Sequence, residues 1–195
     1  GNIIYLRGVN KPGFEDHHAG IWIAYDEYGN RRGGQWHWNE YAVKANLDEM
    51  KRRGCNVVRL ITAIDWWFLD GTFWAYDGSL IEYKQHLRDI LTWANERGIY
   101  VIFTPYQVVN WRDSQATRDA LPYPPYSNPG AETFIPDEQA FIDYIVTVAS
   151  EFGKYPNFIL ELWNEPHGDA RARASWLSVA QQCIDAVRAV SYTHL

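Results

Sequence analysis

Along this chain, short unbroken apolar runs alternate with longer segments whose apolar residues recur at helical spacing. Four runs read as strands: 3–9, 55–61, 99–103 and the stretch that begins at Asn157. Each is too short for a helix and is bounded by Gly, Asn or Pro, as strands buried on both faces are. The helical segments lie between them. One is capped by Asn39, carries Tyr41, Ala42, Leu47 and Met50, and stops at Gly54; a second runs from about 81 to 97, with Leu87, Ile90, Leu91 and Ala94, before Gly98. A third starts at Asp137 and passes through Phe141, Ile145, Val148 and Phe152 to Gly153; a fourth covers about 174–190. Asn and Asp satisfy free amides at helix starts, and glycine adopts the backbone that ends a helix. Strand-then-helix repeats without a compositional break predict one α/β domain over 1–195, built on a parallel sheet with right-handed crossovers.

Three longer segments interrupt this order: 14–38, the stretch holding Trp66, Trp67, Phe68 and Trp74, and the proline-rich 104–136. Long connections in compact domains are usually functional or disordered, and the first is read here as functional. The fourth apolar run ends abruptly in Trp163-Asn164-Glu165-Pro166. Pro166 cannot donate to a ladder, so the strand should stop there with Asn164 and Glu165 at its carboxyl end. Parallel α/β folds bind ligands at that edge. A carboxylate set among apolar and indole groups keeps its proton to higher pH, as a general acid requires. Taken alone, an Asn-Glu pair is more often a helix cap or a solvated loop; the β/α order around it favours a site.

Composition narrows the ligand. With 18 basic against 24 acidic residues the net charge is −6 and there is no basic run. Nucleic acid and anionic membranes are therefore not expected partners. No apolar stretch is long enough to span a membrane and no signal peptide is visible. The first residue is Gly1, which suggests that a segment upstream was removed or left out. Cys55 and Cys183 read as small core residues. His17 and His18 stand beside Glu15 and Asp16, but adjacent histidines point apart, so a solvated loop is the better reading. No metal and no cofactor are expected. The 10 tryptophans and 13 tyrosines are the unusual feature. Their rings suit flat amphipathic ligands such as sugars, although core packing accounts for many of them.

Three motifs, each on a predicted strand and in the right order, carry a resemblance. They are Arg7-Gly8-Val9-Asn10, Gly54-Cys55-Asn56-Val57-Val58-Arg59 and Glu161-Leu162-Trp163-Asn164-Glu165-Pro166. The chain resembles the first half of glycoside hydrolase family 5, retaining cellulase- and mannanase-like enzymes with a (β/α)8 barrel. The fold this implies is the N-terminal half of a TIM (β/α)8 barrel, strands one to four with their helices. A complete barrel needs about 250 residues.

The resemblance makes Glu165 the acid/base, Asn164 the ligand of a sugar 2-hydroxyl, and Arg59 the residue that orients the nucleophilic carboxylate. Read from the residues alone, Arg59 is as well explained by a structural ion pair with Glu161. Asn10, Tyr106, Asn110, Trp111, Trp66 and Trp67 are candidate substrate contacts, with Trp74 a further candidate ring; for each ring, packing is the alternative. Where the family commonly carries a histidine after the third strand, this chain has Thr104-Pro105-Tyr106-Gln107.

The implied substrate is a β-linked polysaccharide or oligosaccharide, cut in endo-glucanase or endo-mannanase fashion. The family's nucleophile comes from a seventh strand whose sequence is not here. The chain alone is therefore expected to be inactive, and its open sheet edges to make it prone to association. The full-length form is expected to be monomeric and secreted. The competing reading is a non-catalytic carbohydrate-binding protein.

Overall fold

The computed structural model describes residues 3–11, 40–63, 67, 72–74, 80–106, 138–164 and 170–190. The elements are β1 (Gly8–Asn10), α1 (Glu40–Arg52), β2 (Val57–Ala63), β3 (Thr72–Trp74) and β4 (Leu80–Glu82). They continue with α2 (Tyr83–Glu96), β5 (Tyr100–Tyr106), α3 (Glu138–Phe152), β6 (Phe158–Leu160) and α4 (Ala170–Val190). Strands β1, β2, β5 and β6 form one parallel sheet in that order, so each new strand is laid beside the last. Four strands with their helices are half of the eight repeats of a TIM barrel.

Period-two alternation divides the sheet into a face toward the helices and a face toward the barrel interior. On the helix side, Val58, Leu60, Val101 and Phe103 are buried against Leu47, Leu87, Ile90, Leu91, Ile145, Val148 and Phe152. Phe103 meets Phe152 and Phe158 at ring-centroid distances of 5.4 and 5.9 Å. Cys183 lies in this core and Cys55 is partly buried at its margin. Fully burying one such large apolar side chain stabilises the fold by about 1.5–3 kcal/mol, so this layer holds the strands in register.

The helix stops at Gly54 and Gly98 have φ of 79° and 65°, the left-handed backbone that a side chain disfavours. Gly153 differs. Its amide bonds Ala149 O at 2.8 Å, and it is not among the positive-φ glycines. The expected caps Asn39 and Asp137 lie outside the described residues.

Several boundaries depart from expectation. The first strand is confined to Gly8–Asn10, because the Asn56 side chain takes the partners that a ladder would use. Arg7 N donates to Asn56 Oδ1 at 2.7 Å, and Asn56 Nδ2 donates to Tyr5 O at 2.9 Å. The second helix starts at Tyr83, not 81, because Leu80–Glu82 pairs antiparallel with Thr72–Trp74. That hairpin was missed; Asp77-Gly78 between two apolar triplets is its sequence signal. Glu82 keeps an extended backbone (φ −70°, ψ 138°) as it hands over to α2. The fourth helix begins at Ala170, earlier than expected. The fourth strand has three ladder residues, and Glu161–Asn164 continue past it with separate bonds to β5.

Candidate active site

Register determines which side chains share the inner face. Asn10, Arg59, Ile102 and Ile159 are successive ladder partners and form one row across all four strands. One step toward the carboxyl ends, Ile61 faces Thr104, and Glu161 N bonds Phe103 O at 2.9 Å, setting Glu161 beside Thr104. Arg59 and Glu161 are therefore on strands separated by β5, about 10 Å apart at two strand spacings. Only a long side chain bridges that gap.

Arg59 does so with a two-point contact. Its Nε donates to Glu161 Oε2 at 2.6 Å and its Nη2 to Glu161 Oε1 at 2.7 Å. The planar fork matches the carboxylate, which makes this a strong and directional pairing. Thr104 Oγ1 adds a donor to Glu161 Oε2 at 2.9 Å. Nη2 also donates to Asn164 Oδ1 at 2.9 Å, and Nη1 to Asn10 Oδ1 at 3.3 Å. The backbone of Asn164 is held by its amide, which donates to Pro105 O at 2.9 Å. Asn164 is 6% exposed, whereas the Arg59 and Glu161 side chains retain 25% and 35%. The network thus lies at the rim, wet on one side and closed on the other.

Burial alone would raise the affinity of the Glu161 carboxyl for a proton. The hydrogen bonds from Arg59 and Thr104, together with the Arg59 charge, outweigh it and hold the carboxyl below its usual value. Glu161 is therefore an anion at neutral pH. It is a partner for Arg59, not a proton donor.

Of the residues expected at the site, Arg59, Asn164 and Asn10 are brought together by direct hydrogen bonds. The ion pair weighed as the alternative for Arg59 is present, in the same network as Asn164. Trp67 requires correction. It is 4% exposed and meets Tyr144 and Phe152 edge-on at 5.8 and 5.7 Å, with Lys84 Nζ 4.8 Å from its ring centroid. A ring packed this way has no face left for a sugar, so Trp67 is a core residue. Tyr106 closes β5 opposite Ala63, and its side chain lies outside the description. Glu165, Asn110, Trp111 and Trp66 lie outside the described residues, as do His17 and His18. Among the described residues no group of three or more His, Cys, Asp or Glu side chains is arranged to hold a metal ion.

Two contributors were not anticipated. The Thr104 hydroxyl was legible only as the inner-face residue of an alternating strand. Trp163, 2% exposed, packs edge-on against Phe141 at 5.7 Å and anchors the segment between Glu161 and Asn164 to α3.

A family model described as cellulase, glycosyl hydrolase family 5, matches residues 18–195. No curated protein matches the chain in sequence. Among solved structures, the catalytic domain of the major endoglucanase from Xanthomonas campestris pv. campestris superposes with a TM-score of 0.67 at 22% identity, covering 98% of this chain and 51% of that one. An endocellulase from Pyrococcus horikoshii, complexed with cellotetraose, gives 0.64 at 23% identity over 96% of this chain and 49% of its own. An endoglucanase from Pseudomonas stutzeri, complexed with cellobiose, gives 0.55 at 17% identity over 97% and 48%. At these identities the likeness is one of fold. The chain spans about half the length of these structures.

Proposed function

Because this chain belongs to glycosyl hydrolase family 5, the cellulase family, we propose that it carries the acid/base half of a retaining endo-β-glycanase active site. Glu165 is the general acid/base in this reading. It protonates the departing glycosidic oxygen and then takes a proton from the incoming water. The observation that carries the reading is the joining of Arg59, Asn164 and Asn10 on the inner face of a parallel sheet, at the residue directly before Glu165. A hydrogen bond from Asn164 to the sugar 2-hydroxyl strengthens as positive charge develops on the ring, so it favours the transition state over the ground state. Tyr106, Asn110, Trp111 and Trp66 are kept as substrate contacts in this reading. The substrate is a β-linked glucan or mannan.

Retention requires a second carboxylate about 5–5.5 Å from the first. In the family it comes from the seventh strand, so the 195-residue chain by itself does not turn over. The test is made in the full reading frame that contains this segment. Glu165→Gln should lower kcat/KM by about 10²–10⁴ on aryl β-glycosides with poor leaving groups, and far less on dinitrophenyl glycosides, which need no protonation to depart. Equal losses on both series, or no loss, would remove Glu165 from the acid/base role. Binding of oligosaccharide without turnover by the full-length protein would instead identify a non-catalytic carbohydrate binder.

A further inference from the structure

We infer that Glu161 is a positioning residue: through Arg59 it fixes which end of the Asn164 amide is offered to a sugar hydroxyl. The inference rests on the proposed role of Asn164 and extends it to a side chain that does not touch substrate.

A side-chain amide has a donor end and an acceptor end of nearly equal size, and its neighbours select between the two orientations. The selecting neighbour here is a guanidinium. It has donors only, so the Asn164 atom 2.9 Å from Arg59 Nη2 is the oxygen. The NH₂ end is thereby turned away from Arg59, and among the described residues nothing accepts from it. A sugar hydroxyl oxygen is an acceptor and completes it. Had the amide lain the other way, two donors would have faced each other. The backbone bond from Asn164 N to Pro105 O removes the remaining freedom of the residue as a whole.

Arg59 can select the orientation only if it is itself held still. A free arginine side chain distributes itself over many rotamers. Glu161 occupies Nε and Nη2 along one edge of the guanidinium, which sets both the direction and the plane of the group. Thr104 holds the carboxylate in turn, and Asn10 takes the far nitrogen, Nη1. Each of the four sheet strands, or the segment directly following it, therefore contributes to the aim of one amide. The carboxylate also balances the guanidinium charge, so the rim is not left with an uncompensated cation.

The experiment uses the full-length enzyme, with kcat/KM measured on an aryl β-cellobioside and on its 2-deoxy counterpart at the cleaved sugar. Glu161→Gln keeps the volume but weakens the fork. It should cost about 10–100-fold on the 2-hydroxyl substrate, with less than about a threefold effect on the 2-deoxy substrate. Asn164→Ala should show the same selectivity, and the double variant should be no worse than Asn164→Ala alone. Thr104→Val, which removes the third donor to the Glu161 carboxylate, at Oε2, without touching Arg59 or Asn164, should reproduce the pattern in smaller measure and decides the matter if Glu161→Gln fails to fold. Equal losses on the two substrates, additive losses in the double variant, or wild-type kinetics in Glu161→Gln would each overturn the positioning role. Failure of the acid/base reading is separate: it would show as equal losses, or no loss, on the poor and the good leaving groups in Glu165→Gln.

Discussion

Asn56 and Asn157 flank the start of β5 and take its first two amides from opposite sides. Tyr100 N donates to Asn56 O and Val101 N to Asn157 O, both at 2.8 Å. Each asparagine also turns its side chain onto backbone. Asn56 holds Arg7 and Tyr5 on the exposed β1 side. Asn157 Nδ2 donates to Leu91 O and to Ile99 O, each at 3.0 Å, inside the core. The two residues have the same chemistry in different solvent, which sets their energetic weight.

Replacing Asn157 strands buried carbonyls, whereas replacing Asn56 leaves groups that water can reach. Asn157→Ala should cost about 2–3 kcal/mol and Asn56→Ala about 1 kcal/mol. Asn157→Asp should be at least as damaging as Asn157→Ala, because it sets an acceptor against two carbonyl oxygens. Urea denaturation at neutral pH compares the three variants. Equal midpoints for Asn56→Ala and Asn157→Ala would contradict the burial argument.

Gly8 permits the close approach of β1 to β2. A Cβ at this position would lie 1.7 Å from Val57 O and 2.6 Å from the carbonyl carbon, and backbone cannot yield as a flexible side chain does. Gly8→Ala should displace β1, with loss of hydrogen-exchange protection at Lys11 N, which bonds Arg59 O at 3.0 Å. The expected destabilisation is about 1–3 kcal/mol. Unchanged protection at Lys11 would mean that the strand accommodates the methyl group.

The Glu161 carboxyl is held below its usual value of 4.5, so its sign of linkage is that of a depressed acid. Its contribution to stability is complete above the unfolded value and is lost as pH falls through the lower folded one. Wild type should therefore lose more stability than Glu161→Gln on acidification from pH 5 toward 3. Glu49 is pulled down to about 2 by hydrogen bonds from Arg52 and Arg53, but on the helix surface, where its side chain remains 44% exposed. Solvent and salt screen that cluster, so Glu49→Gln should change acid stability little at 0.15 M salt. Parallel acid profiles for wild type and Glu161→Gln would remove the ion pair from the account.

Strands β1 and β6 are the two outer strands of the sheet, and Ile3, Ile4, Tyr5 and Leu6 beside β1 are between 46% and 81% exposed. Unpaired edge amides next to exposed apolar residues favour association. We expect the 195-residue chain to sediment as dimers or larger species at micromolar concentration, with charged substitutions at Ile3 and Tyr5 raising the monomer fraction. A concentration-independent monomer would count against this.

The repeating order of apolar runs and amphipathic segments was sufficient for the parallel sheet, its four main strands and the helices that follow them, because burial on two faces and helical spacing are local properties of sequence. The expected stop at Pro166 lies outside the described residues, and the ladder of the fourth strand already ends at Leu160. The hairpin of β3 and β4 was missed because its triplets are too short to show a period, and Trp67 stood open between sugar contact and core packing because an indole carries no mark of which surface it covers. What only the tertiary structure decided is the partnership around Arg59. Glu161 lies 102 positions away in sequence and two strands across the sheet. The choice between an isolated ion pair and one that also holds Asn164 depends on register and side-chain reach, which exist only once the strands are laid side by side.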